Sequence, residues 1–63
     1  MFRELYRTAT KDGALVELYQ SGSNFEIVVG GGGRIERNRY GASGIVAQLK
    51  RFEIPETVLQ SGQ

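Results

Sequence analysis

The sequence predicts an α+β domain: a four-stranded antiparallel β-meander followed by one C-terminal helix packed on the apolar face of the sheet. Three features carry this expectation. Two short turn signals separate stretches of alternating apolar and polar residues. A run of four glycines, Gly30–Gly33, separates a third such stretch from a fourth. Beyond Tyr40–Gly41 the apolar spacing changes from every second residue to that of a helix.

The first turn signal is Lys11–Asp12–Gly13–Ala14. Its Asp-Gly pair suits a two-residue type I′ loop, whose central residues both need positive φ. With Asp12 and Gly13 as the loop, Thr10 faces Leu15, Ala9 faces Val16, Arg7 faces Leu18 and Tyr6 faces Tyr19. The second signal, Ser21–Gly22–Ser23–Asn24, suits a type II′ loop with glycine first. It sets Gln20 opposite Phe25, Leu18 opposite Ile27 and Val16 opposite Val29. Side chains alternate along a strand. One face therefore collects Leu5, Ala9, Ala14, Val16, Leu18, Phe25, Ile27 and Val29, with Arg7 and Gln20 toward an edge. The other collects Tyr6, Thr8, Thr10, Leu15, Glu17, Tyr19, Glu26 and Val28.

Gly30–Gly33 ends the third strand, and Arg34–Arg39 returns as the fourth. A strict Gly31-Gly32 turn would pair Ile35 with Val28 on the outer face. A bulged loop, the favoured version, sets Ile35 beside Val29 on the apolar face. Next, Ala42, Ile45, Val46, Leu49 and Phe52 share one face at helical spacing. Ser43 is the expected N-cap, and Lys50 and Arg51 suit the last turns, where the helix dipole favours cations. Pro55 disfavours helix at the preceding Ile54, so the helix should stop near Phe52 or Glu53. Glu56–Leu59 can add one further turn with Pro55 at its start.

A chain of 63 residues is bounded to one domain, here 1–60 with a frayed tail at 61–63. Apolar runs such as Ile27–Val28–Val29 fall far short of the roughly 20 residues of a membrane-spanning helix. Charged residues in MFRELYRT stand where a signal peptide would carry its apolar stretch, so the expected setting is cytoplasmic. Neither cysteine nor histidine occurs, which removes disulfides, thiol chemistry, nearly all zinc sites and every Ser–His or Cys–His arrangement. No cofactor or metal is therefore expected. A net charge of +1 gives no global pull toward nucleic acid or anionic membrane. A domain this small has a marginal core, which favours completion by a second copy.

The glycine run is not a phosphate loop. Counting GxxxxGK from Gly30 lands on Ile35, no Lys-Ser or Lys-Thr pair follows, and GxGxxG fails from either Gly30 or Gly31. It reads as a flexible hairpin loop, or else as a mobile loop that orders on a partner. Gly41, Ser43 and Gly44 at the helix start form a better candidate anion site, with Arg37 or Arg39 nearby. The competing reading is an ordinary capped helix.

The open sheet face is the candidate interaction surface. The predicted Tyr6–Tyr19 pair, flanked by Leu15 and Val28, could stack bases, with Arg34, Arg37, Arg39 and Tyr40 adding contacts. Glu17 and Glu26, expected to oppose each other on that face, would repel a phosphate backbone. The same tyrosines suit self-association, as does edge pairing through the fourth strand. Interspersed arginine and glutamate on that strand is equally a solvated edge that discourages aggregation. A general base would have to be a carboxylate or lysine on an open sheet, so catalysis is not expected.

The sequence therefore points to a small non-enzymatic binding or regulatory module. It is expected to be homodimeric and to dock onto another protein through its open sheet face, edge strand or glycine loop. The alternatives are a nucleic-acid-binding accessory protein using the sheet tyrosines and the Arg34–Arg39 strand, or a structural subunit of a larger assembly.

Overall fold

A computed structural model describes residues 1–59, so the tail expected at 61–63 lies outside the described residues. Strands β1 (Arg3–Ala9), β2 (Leu15–Ser21), β3 (Asn24–Gly31) and β4 (Arg34–Tyr40) form one antiparallel sheet in chain order. Helix α1 (Ala42–Arg51) follows and contacts β3 and β4. The anticipated extra turn at Glu56–Leu59 is present as a 3-10 helix and packs against β1. The α+β meander-plus-helix class is thus the one read from the sequence.

The central hairpin has the predicted register: Gln20 opposes Phe25, Leu18 opposes Ile27 and Val16 opposes Val29. Gly22 takes φ 61, as the first position of a type II′ loop requires.

The first hairpin differs by one residue. Its loop holds three residues, Lys11–Asp12–Gly13, closed by Thr10 N–H donating to the Ala14 carbonyl at 2.8 Å. Only Gly13 has positive φ, at 88°. Ala14 N–H also donates to Thr10 Oγ1 at 3.1 Å. Consequently Ala9 faces Leu15, Thr8 faces Val16, Arg7 faces Glu17 and Tyr6 faces Leu18. The predicted Tyr6–Tyr19 pair is not formed. The physical reason is polarity: the two-residue loop would set the Arg7 guanidinium beside the fully buried Leu18, at a large desolvation cost. The three-residue loop puts Tyr6 there instead. A bulge at Leu5 then resets the strand, so that Glu4 opposes Tyr19 and Arg3 opposes Gln20. Both Leu5 and Tyr6 pack against the core.

The third hairpin turns on Gly32 and Gly33, at φ 60 and 78. Gly31 is constrained differently: a Cβ there would lie 3.2 Å from Ala14 Cβ and 3.3 Å from its Cα, so Ala14 would have to give by a few tenths of an ångström. With the turn at 32–33, Ile35 opposes Gly30 on the outer face, 68% exposed. The bulged loop expected to carry Ile35 to the apolar face is not present. Two glycines able to take positive φ make a tight loop cheaper than a bulge.

Val16 and Leu18 of β2, Phe25 and Ile27 of β3, Ile45 and Leu49 of α1, and Ile54 and Val58 beyond it form the core. Helix α1 is capped by Gly41 rather than Ser43, and no side chain bonds its first amides. Its C-terminus is a Schellman motif. Glu53 N–H donates to the Lys50 carbonyl at 3.2 Å, and Ile54 N–H to the Leu49 carbonyl at 2.8 Å. The motif needs a left-handed residue, and Glu53 fills that place at φ 57. It thereby folds Ile54 back onto the core beside Leu49.

Replacing Glu53 by glycine removes the Cβ strain of a left-handed residue. Glu53→Gly should raise stability by about 0.5–1 kcal/mol in urea unfolding. Leu49→Ala should cost about 2–4 kcal/mol. A core of this size supplies only about 3–5 kcal/mol, so circular dichroism of Leu49→Ala at 25 °C should show substantial unfolding.

Candidate functional site

Helix α1 and the 3-10 turn lie on one face of the sheet, leaving the other uncovered by any element among the described residues. Register places its side chains in three rows running from β1 to β4. The first is Glu4, Tyr19, Glu26 and Arg39. The second is Arg7, Glu17, Val28 and Arg37. The third is Ala9, Leu15, Gly30 and Ile35.

Two charge clusters occupy the first two rows. On the β1–β2 side, Arg7 Nη2 donates to Glu4 Oε1 at 2.8 Å and lies 3.2 Å from Glu17 Oε2. The Tyr19 hydroxyl donates to Glu17 Oε2 at 3.2 Å and, more weakly, to Glu4 Oε1 at 3.5 Å. Two carboxylates share one guanidinium, leaving one surplus negative charge. On the β3–β4 side the balance is reversed. Glu26, only 8% exposed, has Arg39 Nε at 3.5 Å and Arg37 Nη1 at 3.9 Å. Phe2 reaches across the sheet end, with Arg39 Cζ 5.0 Å from its ring centroid. Val28, between Glu17 and Arg37, is buried although no helix covers it; the stems of flanking charged side chains exclude water there.

The titrations follow from this geometry. The Arg7 hydrogen bond holds the Glu4 carboxyl below its usual pKa, and Glu4 in turn raises Arg7. Desolvation, then the hydrogen bond to Glu17, pushes the Tyr19 phenol up. Each shift fixes its group more firmly in the state it already holds at neutral pH. That is the reverse of what a general acid or base requires.

The structure brings together five of the residues expected on this surface: Tyr19, Leu15, Val28, Arg37 and Arg39. Tyr6 and Tyr40 instead pack against the core on the helix side, Tyr40 opposite Phe25. Arg34 opposes Gly31 at the hairpin end, in register with the helix-side set. Glu17 and Glu26 do not oppose each other. Glu17 faces Val28 and Glu26 faces Tyr19, so no carboxylate pair forms. Sequence reasoning left Phe2, Glu4 and Ile35 out of the surface. The polarity of Arg7 beside Leu18 was the available signal for correct β1 placement, and it would have brought Glu4 and Arg7 into view.

At the candidate anion site, Gly41 and Ser43 are exposed, while Gly44 N–H is bonded to the Gly41 carbonyl at 3.2 Å. Arg37 and Arg39 belong to the opposite face of the sheet and do not join it. A cleft of about 390 Å³ lies between the first hairpin and the end of α1, lined by Thr8, Thr10, Lys11, Arg51, Phe52 and Glu53. Among the described residues, no cluster of carboxylates suited to a metal ion occurs, and no helix is long and apolar enough to cross a membrane.

Compared with family models, curated proteins and solved structures, the chain matches none of them.

Because Glu4 has a lowered folded-state pKa, its contribution is present above the ordinary carboxylate value and is lost as pH falls through the lowered one. Thermal unfolding followed by circular dichroism should show a midpoint that falls as pH drops below the ordinary carboxylate range. Glu4→Gln should lessen that fall by only a small amount, as expected of an exposed ion pair, while leaving the fold intact.

Proposed function

We propose that this protein is a non-enzymatic, homodimeric binding module of the cytoplasm that captures an extended segment of another protein by adding it as a fifth strand along β4. The observation that supports this is the state of that edge. β4 is seven residues long and free of bulges, and every residue except Tyr40 is exposed. The two-residue loop makes Gly31 and Arg34 a hydrogen-bonded pair, and bonding then alternates along the strand. The amides and carbonyls of Ile35, Arg37 and Arg39 therefore point away from β3. Such a row is a template for strand addition, in which backbone bonds supply affinity. The other edge, β1, is interrupted at Leu5 and flanked by the 3-10 turn, so it suits this use less well. A cysteine-free chain is compatible with a reducing compartment.

The nucleic-acid alternative loses its aromatic pair, because Tyr6 faces Leu18 and the Tyr19 hydroxyl is engaged by glutamates. Glu4, Glu17 and Glu26 on the same face oppose a phosphate backbone as well.

The test uses peptides selected from a random linear library against the whole protein. Amide exchange at Ile35, Arg37 and Arg39 should be fast in the free protein and slowed at least about tenfold in the complex. Arg37→Pro removes an outward N–H that no ladder bond uses, so the fold should persist while affinity drops at least about tenfold. A selected peptide that binds equally well to this folded variant, leaving the three amides unprotected, refutes the edge.

A further inference from the structure

The third row of the uncovered face reads small, large, small, large: Ala9, Leu15, Gly30, Ile35. Apart from Met1, Leu15 and Ile35 are the exposed large hydrophobic residues among those described. The first row runs from acidic Glu4 on β1 to basic Arg39 on β4, with side chains 38% and 70% exposed. The two patterns have the same symmetry. If a second copy is laid face to face about a twofold axis parallel to the strands, β1 meets β4 and β2 meets β3 at the same height. Ile35 of each copy then covers Ala9 of the other, Leu15 fills the space above Gly30, and Glu4 meets Arg39. A twofold axis across the strands would instead lay the apolar row over the charged one.

The geometry points to this uncovered face as the seat of a second copy of the chain, stacked about a twofold axis parallel to the strands. The inference rests on the dimeric part of the reading above and is independent of the β4 edge. In the middle row Arg7 meets Arg37, a like-charge contact. Arg7 already lies between Glu4 and Glu17, so that half carries surplus negative charge toward the surplus positive charge around Glu26, Arg37 and Arg39. Charge complementarity of halves therefore selects the same axis as size complementarity of the apolar row. Sheets packed this way lie about 10 Å apart, with strands turned by about 30°. Four strands of this length present a face of roughly 19 by 23 Å. Two such faces bury on the order of 900 Å², below the usual range for stable complexes. The dimer is accordingly weak and concentration-dependent, and it leaves both β4 edges free.

Sedimentation equilibrium of the full chain from micromolar to millimolar concentration is the test. The wild type should show a reversible monomer–dimer equilibrium. Ile35→Glu should weaken it at least about tenfold with an unchanged melting curve, since Ile35 contributes nothing to the core. Glu4→Arg and Arg39→Glu should each be monomeric where the wild type dimerises. Mixed together they should form a one-to-one dimer, because both charge contacts become attractive again. A monomer at every concentration overturns the inference. So does a dimer indifferent to Ile35→Glu, or a mixture of folded variants that stays monomeric. A monomer that still takes up a selected peptide at β4 loses the dimer alone. A dimer that takes up none loses the edge reading alone.

Discussion

The desolvation cost of an arginine beside buried Leu18 sets the length of the first loop and with it the parity of β1, and much of the surface depends on that one choice. A three-residue first loop puts Tyr6 and Thr8 toward the helix and Arg7 and Ala9 toward the other face. Shifting the strand by one residue would invert all four. Arg7 would enter the core side, Glu4 and Glu17 would lose their shared guanidinium, and Leu15 would lose its small neighbour Ala9. The decision is enforced by the cost of bringing a guanidinium beside Leu18, not by any preference of the loop itself.

This explains which parts of the molecule were legible in the amino-acid order. The central hairpin was, because the Gly22-Ser23 loop and the alternation of Val16, Leu18, Phe25 and Ile27 independently require one register. Helix α1 and the turn at Glu56–Leu59 were also legible, from apolar spacing and the position of Pro55. The first register was not, because Asp12-Gly13 serves a two-residue and a three-residue loop equally well. The side of Ile35 was hidden for a related reason: four glycines permit several loops, and the close contact of Gly31 with Ala14 is made across strands. On the candidate surface, Tyr19, Leu15, Val28, Arg37 and Arg39 could be read from β2–β4. Glu4 and Arg7 inherited the error of β1, and Phe2 meets Arg39 from the far edge of the sheet with no local signal in the chain.

The two faces of the sheet do different physical work. On the helix side, nearly complete removal of Leu18, Ile27, Ile45 and Leu49 from water supplies the driving force for folding. On the other side, exposed ion pairs of this kind add little net stability. What they provide is orientation. Arginine stems shield Val28, and the distribution of guanidiniums and carboxylates gives that face an acidic and a basic half. Such a pattern discriminates between ways of approaching it far better than it strengthens the fold.

Strand order that follows chain order has a kinetic consequence. Every strand pairs with its immediate predecessor, so each step of sheet growth closes only a short loop, and the entropy lost in closure stays small. Local pairing of this kind favours rapid formation of the sheet. Emerging from the ribosome, the chain can zip its hairpins in sequence. The apolar side of the meander nevertheless remains wet until α1 and Ile54–Val58 arrive, so completion of the core waits for the segment that follows the sheet.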